Sequence, residues 1–447
     1  MLPLVLDRES PVPLSAQISA GIRHLVAAGG LHAGQAVPST RELATSLGVS
    51  RGTVVAAYDQ LVAESYLEAR PGSKTRVCHE VERTPRPRAQ SDRGSVGAAP
   101  PVPNLAGESP AGSERLEDST WREAWRTAAR DSGEPVDPQG LLSTRRAIAE
   151  HLRLLRALAV DPDDIFLTGG AREGLLLTLL TLRQSGQALA VQSPGYPGLR
   201  GVAGRSGMAT VEVASDESGI LPAQIPAAAG AVLVTPNHLY PLGAAMPAPR
   251  RLELLARVRE LGAWLIEDDF DSEYRHLGPV LPTLWEQAPD QVLHLGTFNR
   301  VLTADAHLGY LIAPGPLREE LRAARQDLGP GTSALAQRAV GTYLSHGGLR
   351  RRIARRRRDL TRRRQLIEQY LAPWKVQLHA GGLAIIRCSD EAARQVQQAA
   401  AERGVELRLL ADYWQGPTQV PGLIFAYGRL AGARLEEQLQ ILAGALT

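Results

Sequence analysis

The stretch 38–58 reads PSTRELATSLGVSRGTVVAAY, two helical patterns hinged on one glycine. Ser39 followed three residues later by Glu42 is a capping box, in which each side chain satisfies the other residue's backbone N–H. The helix that starts there runs to Leu47 and stops at Gly48, the residue type that most easily takes the left-handed turn ending a helix. After Val49, Ser50 caps a second helix from Arg51 to about Glu64, with Val54, Val55, Tyr58, Leu61 and Val62 as its buried face. Arg51, Gly52 and Thr53 then project from its first turn. Upstream, Leu14 to Ala28 is amphipathic, with Leu14, Ile18, Ile22 and Leu25 on one stripe. Downstream, LEARPGSKTRV (67–77) reads as two short strands about a Pro-Gly turn.

Two helices joined by a short glycine-containing turn, the second opening on polar residues, have helix-turn-helix geometry with a β wing. The same pattern also suits a capped helical hairpin closing a small core, and spacing alone leaves both open. If the domain reads double-stranded DNA, Arg51 can donate two hydrogen bonds to guanine, while Ser39, Ser50 and Thr53 anchor phosphates. Arg70, Lys74 and Arg76 of the wing would touch backbone or minor groove.

The chain has 447 residues, too many for one core. Residues 78–113 are rich in Pro, Gly, Ser, Ala and Arg and bury too little to fold alone, so they read as a linker between domains 1–77 and 114–447. Beyond it, apolar runs at 164–168, 188–191, 231–234, 263–266 and 292–295 alternate with helical stretches. That is the pattern of an α/β domain with a mainly parallel sheet covered on both faces. From about 350 a long arginine-rich helix and the strand-like VQLHAGGLAIIRC and GLIFAYGR suggest a smaller α+β subdomain. The absence of a long apolar run or a signal-peptide pattern, with only Cys78 and Cys388, leads us to expect a cytoplasmic protein with no membrane contact, no disulfide framework and no metal site. The net charge of +3 does not by itself imply nucleic acid. Lysine occurs only at Lys74 and Lys375, which leaves two candidates for any chemistry that needs an amine.

The segment PLSAQISAGIRHLV…GLHAGQAVPSTRELATSLGVSRGTVVAAYDQLVAESYLEARPGSKTRV resembles the GntR-type winged helix-turn-helix over nearly its whole length. By that resemblance Arg41 and Arg51 are the leading DNA contacts, with Ser39, Ser50, Thr53 and the wing glycine Gly72 in support. Lys74 departs from a second wing glycine. Residues 114–447 resemble fold type I aminotransferases, and in this combination the MocR-type regulators, through DPQGLLSTRRAIAEHL, FLTGGAREGLL, VQSPGYPGLR, VTPNHLYPLGAAM, IEDDFDSEY and LGTFNRVLTADAHLGYLIAP. The resemblance implies a pyridoxal phosphate site and a homodimer. Gly169, Gly170 and Ala171 would meet the phosphate at a helix N-terminus. Tyr196 would stack on the ring, His238 would flank it, and Asp268 would pair with the pyridinium nitrogen.

Arg300 stands where the resemblance places the lysine of the Schiff base. A guanidinium keeps its proton and cannot act as the nucleophilic amine. His307 replaces the expected phosphate-binding arginine, Phe270 a tyrosine, Leu239 a glutamine and Ala384 a histidine. We therefore expect no covalent cofactor and no catalysis. With Arg300 and His307 still basic, a small anionic effector suits the pocket. Pyridoxal phosphate held without a covalent bond, an active enzyme with a regulatory head, and a scaffold that only dimerises are the alternatives. The arginine run 350–364 suits either a solvated helix face or non-specific phosphate contacts.

Overall fold

The computed structural model describes all residues except 1, 11, 70–73, 79–115, 117, 132–135, 184–186, 277–280, 304–305, 380, 415–419, 429, 431 and 447. Arg70 and Gly72 of the expected wing lie outside the described residues, as does nearly all of the expected linker. The chain divides into two compact units, Met1–Pro101 and Val102–Thr447.

In the first unit, helices α1 (Leu14–Ala27), α2 (Thr40–Leu47) and α3 (Arg51–Ala63) are followed by strands β1 (Leu67–Glu68) and β2 (Arg76–Val77), paired antiparallel. Their core holds Ile18, Ile22, Leu43, Val54, Tyr58 and Leu61. Two expected members of the α3 face differ: Val55 is half-buried and Val62 exposed. The buried stripe is Val54, Ala57, Tyr58 and Leu61, the i, i+3, i+4, i+7 series, and positions 55 and 62 fall off its edge. An N-terminal arm not foreseen from the sequence packs Leu2, Leu4 and Leu6 onto this core. Its Arg8 donates to the carbonyl of Gly48 at 2.9 Å, across the turn between α2 and α3.

The second unit opens with α4 (Ser119–Arg130) and α5 (Leu142–Arg156). Then follow β3 (Ile165–Thr168), α6 (Ala171–Leu182), β4 (Ala188–Ser193), α7 (Pro197–Arg205), β5 (Thr210–Asp216), β6 (Gly219–Ile220) and β7 (Ala229–Val234). After these come α8 (Ala248–Glu260), β8 (Trp264–Asp268), α9 (Leu284–Gln287), β9 (Val292–Thr297), β10 (Gly309–Ile312), α10 (Arg318–Leu328) and α11 (Ala334–Ser345). The sheet order is β3-β10-β9-β8-β7-β4-β5-β6. Its five middle strands, β9 to β5, are parallel, whereas β10 runs antiparallel to both β9 and β3, and β6 antiparallel to β5. The sheet is mainly parallel, as expected, with β10 and β6 reversed; β10 follows β9 through a loop too short for a crossover helix. Apolar clusters cover both faces: Val232, Leu265 and Tyr310 belong to one, Leu233, Ile266 and Leu295 to the other.

The long helix α12 (Gly348–Tyr370) leads to a smaller antiparallel sheet, ordered β11 (Gln377–Leu378), β12 (Leu383–Arg387), β14 (Gly422–Ala426), β13 (Arg408–Leu409). Helices α13 (Asp390–Ala401) and α14 (Gly432–Leu446) belong to this part. No helix among the described residues is long and apolar enough to cross a membrane, and none of those residues form a metal-holding cluster.

Candidate functional site

At the start of α2 the capping box is complete: Ser39 Oγ accepts from Glu42 N–H at 3.2 Å, and Glu42 Oε2 accepts from Ser39 N–H at 2.9 Å. The hydrogen bond from the Ser39 backbone holds the Glu42 carboxyl below its usual range, and the charge of Lys74 adds to this. Ser50 Oγ accepts from Thr53 N–H at 3.1 Å and lies 2.8 Å from the Thr53 hydroxyl, so α3 begins on a fixed cap. The Tyr58 hydroxyl donates to the Pro38 carbonyl at 2.8 Å, fastening α3 to the residue before the cap of α2. Arg41, Arg51 and Lys74 are exposed. Arg76, by contrast, spends a donor on the Gly34 carbonyl at 2.8 Å.

In the second unit the expected pocket residues sit at the carboxyl ends of adjacent strands, where open α/β sheets take their ligands. Gly170 caps α6 at φ +127°, and a Cβ there would fall 2.6 Å from Asn299 Nδ2. Asn299 occupies this cradle: its Nδ2 donates to the Gly169 carbonyl at 2.9 Å and its Oδ1 accepts from Leu308 N–H at 3.1 Å. A carboxylate is there too, since Glu173 Oε2 accepts from Gly169 N–H at 3.1 Å while Oε1 pairs with buried Arg325 at 2.6 Å. His307 is exposed, at φ +41°, with its carbonyl accepting from Thr332. Tyr196, half-buried, is engaged by Arg172, which donates to its hydroxyl at 2.6 Å and lies 5.5 Å from its ring centroid.

Asp268 is buried at the end of β8, and its Oδ1 has no hydrogen-bond partner among the described residues. Burial pushes its carboxyl up to about 7, opposed by the charge of Arg300. The Arg300 guanidinium lies 4.5 Å from the centroid of the Phe270 ring. Phe270 in turn stacks on His238 at 5.1 Å, and His238 meets the edge of His379 at 5.5 Å. His238 Nδ1 donates to Asp271 Oδ2 at 2.6 Å, leaving Nε2 buried without a partner. Burial, then the neighbouring His238, holds His379 well below its usual range, so it is neutral. Arg300, Phe270, His238 and His379 thus form one column from the β9 loop to the smaller sheet.

Under this column lies a buried polar layer. Asp269 pairs with Arg156 and accepts from Asn237 Nδ2 at 3.2 Å, and Arg251 donates to Asn237 Oδ1 at 2.7 Å. Glu267 accepts from Leu284 N–H at 2.9 Å and pairs with His294 at 3.0 Å. Burial alone would raise Glu267, but the hydrogen bond and charge of His294 hold it down.

Residues 14–77 match the family model of bacterial regulatory proteins, gntR family, and residues 105–415 match aminotransferase class I and II. The HTH-type pyridoxine biosynthesis transcriptional regulator PdxR of Corynebacterium glutamicum is 41% identical over 430 residues, 96% of this chain and 94% of its own. The probable rhizopine catabolism regulatory protein MocR of Rhizobium meliloti is 30% identical over 99% of this chain and 95% of its own. This chain belongs to the MocR-type regulators of the GntR family. The fold of the second unit of this MocR-type regulator is shared with a solved Thermus thermophilus aspartate aminotransferase, TM-score 0.67 at 20% identity over 80% of this chain and all of that one. The α-aminoadipate aminotransferase LysN of the same genus gives 0.66 at 22% over 77% and 92%.

Within this MocR-type regulator the structure gathers Asp268, Phe270, His238 and Arg300 into one cluster, and places Gly170, Ala171 and His307 around a neighbouring loop. Sequence reasoning missed Asn299, Glu173, Asp271 and His379. Asp271 was legible in DDFDSEY as a third acid, but nothing in the sequence said that it would meet His238, 33 residues earlier.

Proposed function

We propose that this regulator's aminotransferase-like unit senses a small anionic molecule without catalysis and without a covalent aldimine. In this reading the chain works as a homodimer in the cytoplasm, and ligand binding shifts the affinity of its paired winged domains for double-stranded operator DNA. The observation that carries the reading is Arg300 at the loop after β9. A permanently protonated guanidinium holds that position, while Lys74 belongs to the other unit and Lys375 to the turn before β11. The donor set therefore does not fit pyridoxal phosphate held as a Schiff base. Asn299 and the Glu173 carboxylate at the glycine loop argue in the same direction, since both occupy donors or space that a phosphate would use.

A second reading rests on Asp268. Its orphaned, buried oxygen would accept from a pyridinium N–H, and the relative from C. glutamicum is named for pyridoxine biosynthesis. On that reading the ligand is a vitamin B6 compound bound non-covalently. One preparation tests both: the full-length protein incubated with pyridoxal phosphate, treated with borohydride and weighed by mass spectrometry. An unmodified mass is expected, and a reduced covalent adduct overturns the proposal. Release of the phosphate compound on denaturation, with the protein mass unchanged, selects the second reading.

A further inference from the structure

Helix α12 concentrates charge as no other element does. Its ten arginines and two acids give +8 within a chain whose total is +3. Half of those arginines serve the fold. Arg352 donates to the Val301 carbonyl at 2.8 Å and Arg357 to the Glu273 carbonyl at 2.8 Å. Arg356 and Arg363 both reach the Gly428 carbonyl and pair with Asp359, and Arg364 pairs with Glu368 at 2.7 Å. The helix's acids are consumed by these pairs.

Of the other five, Arg351, Arg355, Arg358 and Arg362 are all exposed and spaced four, three and four residues apart, which puts them on one face. At a rise of 1.5 Å per residue the stripe is roughly 16 Å long. Ala354 and Thr361 lie between them, and the face carries no acid of the helix. Arg355 lies 3.6 Å from Asp118, and Arg351 bonds only neutral oxygens, of His346 and Thr120. Arg358 and Arg362 make no hydrogen bond or ion pair among the described residues. Like charges at this spacing repel by about 0.2–0.5 kcal/mol per pair, and this face holds little to offset them. A linear polyanion would. Double-stranded DNA, which the first unit's family binds, carries a charge about every 1.7 Å of its axis, so several phosphates lie within the length of the stripe.

We propose that this face of α12 is a second, sequence-independent contact to the DNA phosphate backbone, made by the aminotransferase-like unit rather than by the winged domain. The test is fluorescence anisotropy of the full-length protein on a long mixed-sequence duplex, titrated across salt. The triple variant Arg355→Gln, Arg358→Gln, Arg362→Gln should lower the slope of log affinity against log salt by about 0.9 per lost contact, roughly 2 to 3 in all. Affinity at the low-salt end should fall at least tenfold. The corresponding lysine triple should keep the wild-type slope. Arg259→Gln, Arg394→Gln, Arg403→Gln removes the same charge from other exposed sites of this unit and should leave the slope unchanged. An unchanged slope in the α12 triple, or equal losses in the two glutamine triples, overturns the proposal. A change of oligomeric mass confined to the α12 triple also overturns it, because the stripe would then be a contact between copies.

Discussion

Replacing Asp268 by asparagine should remove one falling component from the pH dependence of stability of the aminotransferase-like unit between pH 5 and 8, a component opposite in sign to that of buried His151 and His379, which are held below their usual range. The carboxyl titrates at about 7 when folded, against a reference of 3.8, because it is buried with one oxygen lacking a donor. Between those values the folded chain holds a proton that the unfolded chain has released. Stability is therefore greatest below the lower value and is lost as the pH rises through the upper one. From pH 5 to the plateau above pH 7 the loss approaches two pH units, roughly 2.7 kcal/mol. A side-chain amide cannot ionise, so the Asp268→Asn variant should lack this component while sharing every other titration with the wild type. All six tryptophans, from Trp121 to Trp414, lie in this unit, so urea unfolding followed by tryptophan fluorescence reports it alone. Parallel loss of stability in the two proteins from pH 5 to 8 would refute the reasoning. The same arithmetic bears on ligand choice, since a bound N–H donor facing Asp268 would let it ionise and recover part of that loss.

Two further outcomes follow from the geometry. Arg51→Ala should weaken operator binding by about 1–3 kcal/mol and relax discrimination at one base pair, read by anisotropy on an operator and its single-site variants; an unchanged specificity ratio would remove Arg51 from the base-reading set. Gly243→Ala should destabilise the second unit by about 2 kcal/mol or more, because φ is +76° there and a Cβ would overlap the His379 ring. A change within about 0.5 kcal/mol in urea unfolding would mean that the His238–His379 contact gives way freely.

The helix-turn-helix was legible because its signals are local. Ser39 with Glu42, Gly48 and Ser50 specify two caps and a turn within twelve residues. β3, β4, β7, β8 and β9 were legible as apolar runs because both faces of the sheet are covered there, whereas the partly exposed β5 was not. β10 was not placed, since Gly309–Ile312 is as apolar as its neighbours and only the short return from β9 sets its direction. The arm 2–8 escaped notice because three leucines in alternation carry little weight without the surface they cover. The pocket was legible residue by residue, but its electrostatics were not. Arg156 and Asp269 are 113 positions apart, and Asn299 looks like any polar loop residue until both ends of its amide are seen to be tied. The arginine run shows the same limit: the sequence offered two readings for one block, and the structure ties half of its arginines into the fold.

That difference between local and long-range determinants also bears on what holds the aminotransferase fold together around its pocket. Asp269, Glu267, His294, Arg156 and Arg251 form a layer in which each charge lies beneath the sheet's end and depends on another. Removing one partner would strand a buried charge at about 3–5 kcal/mol, so this layer cannot change one residue at a time without threatening the fold. Arg300 is half-exposed and His307 exposed, on loops outside that layer. Stability is thus concentrated in that buried layer. On the proposed sensing function, occupancy would reach the smaller sheet through the column from Arg300 by Phe270 and His238 to His379, which ends there rather than in solvent.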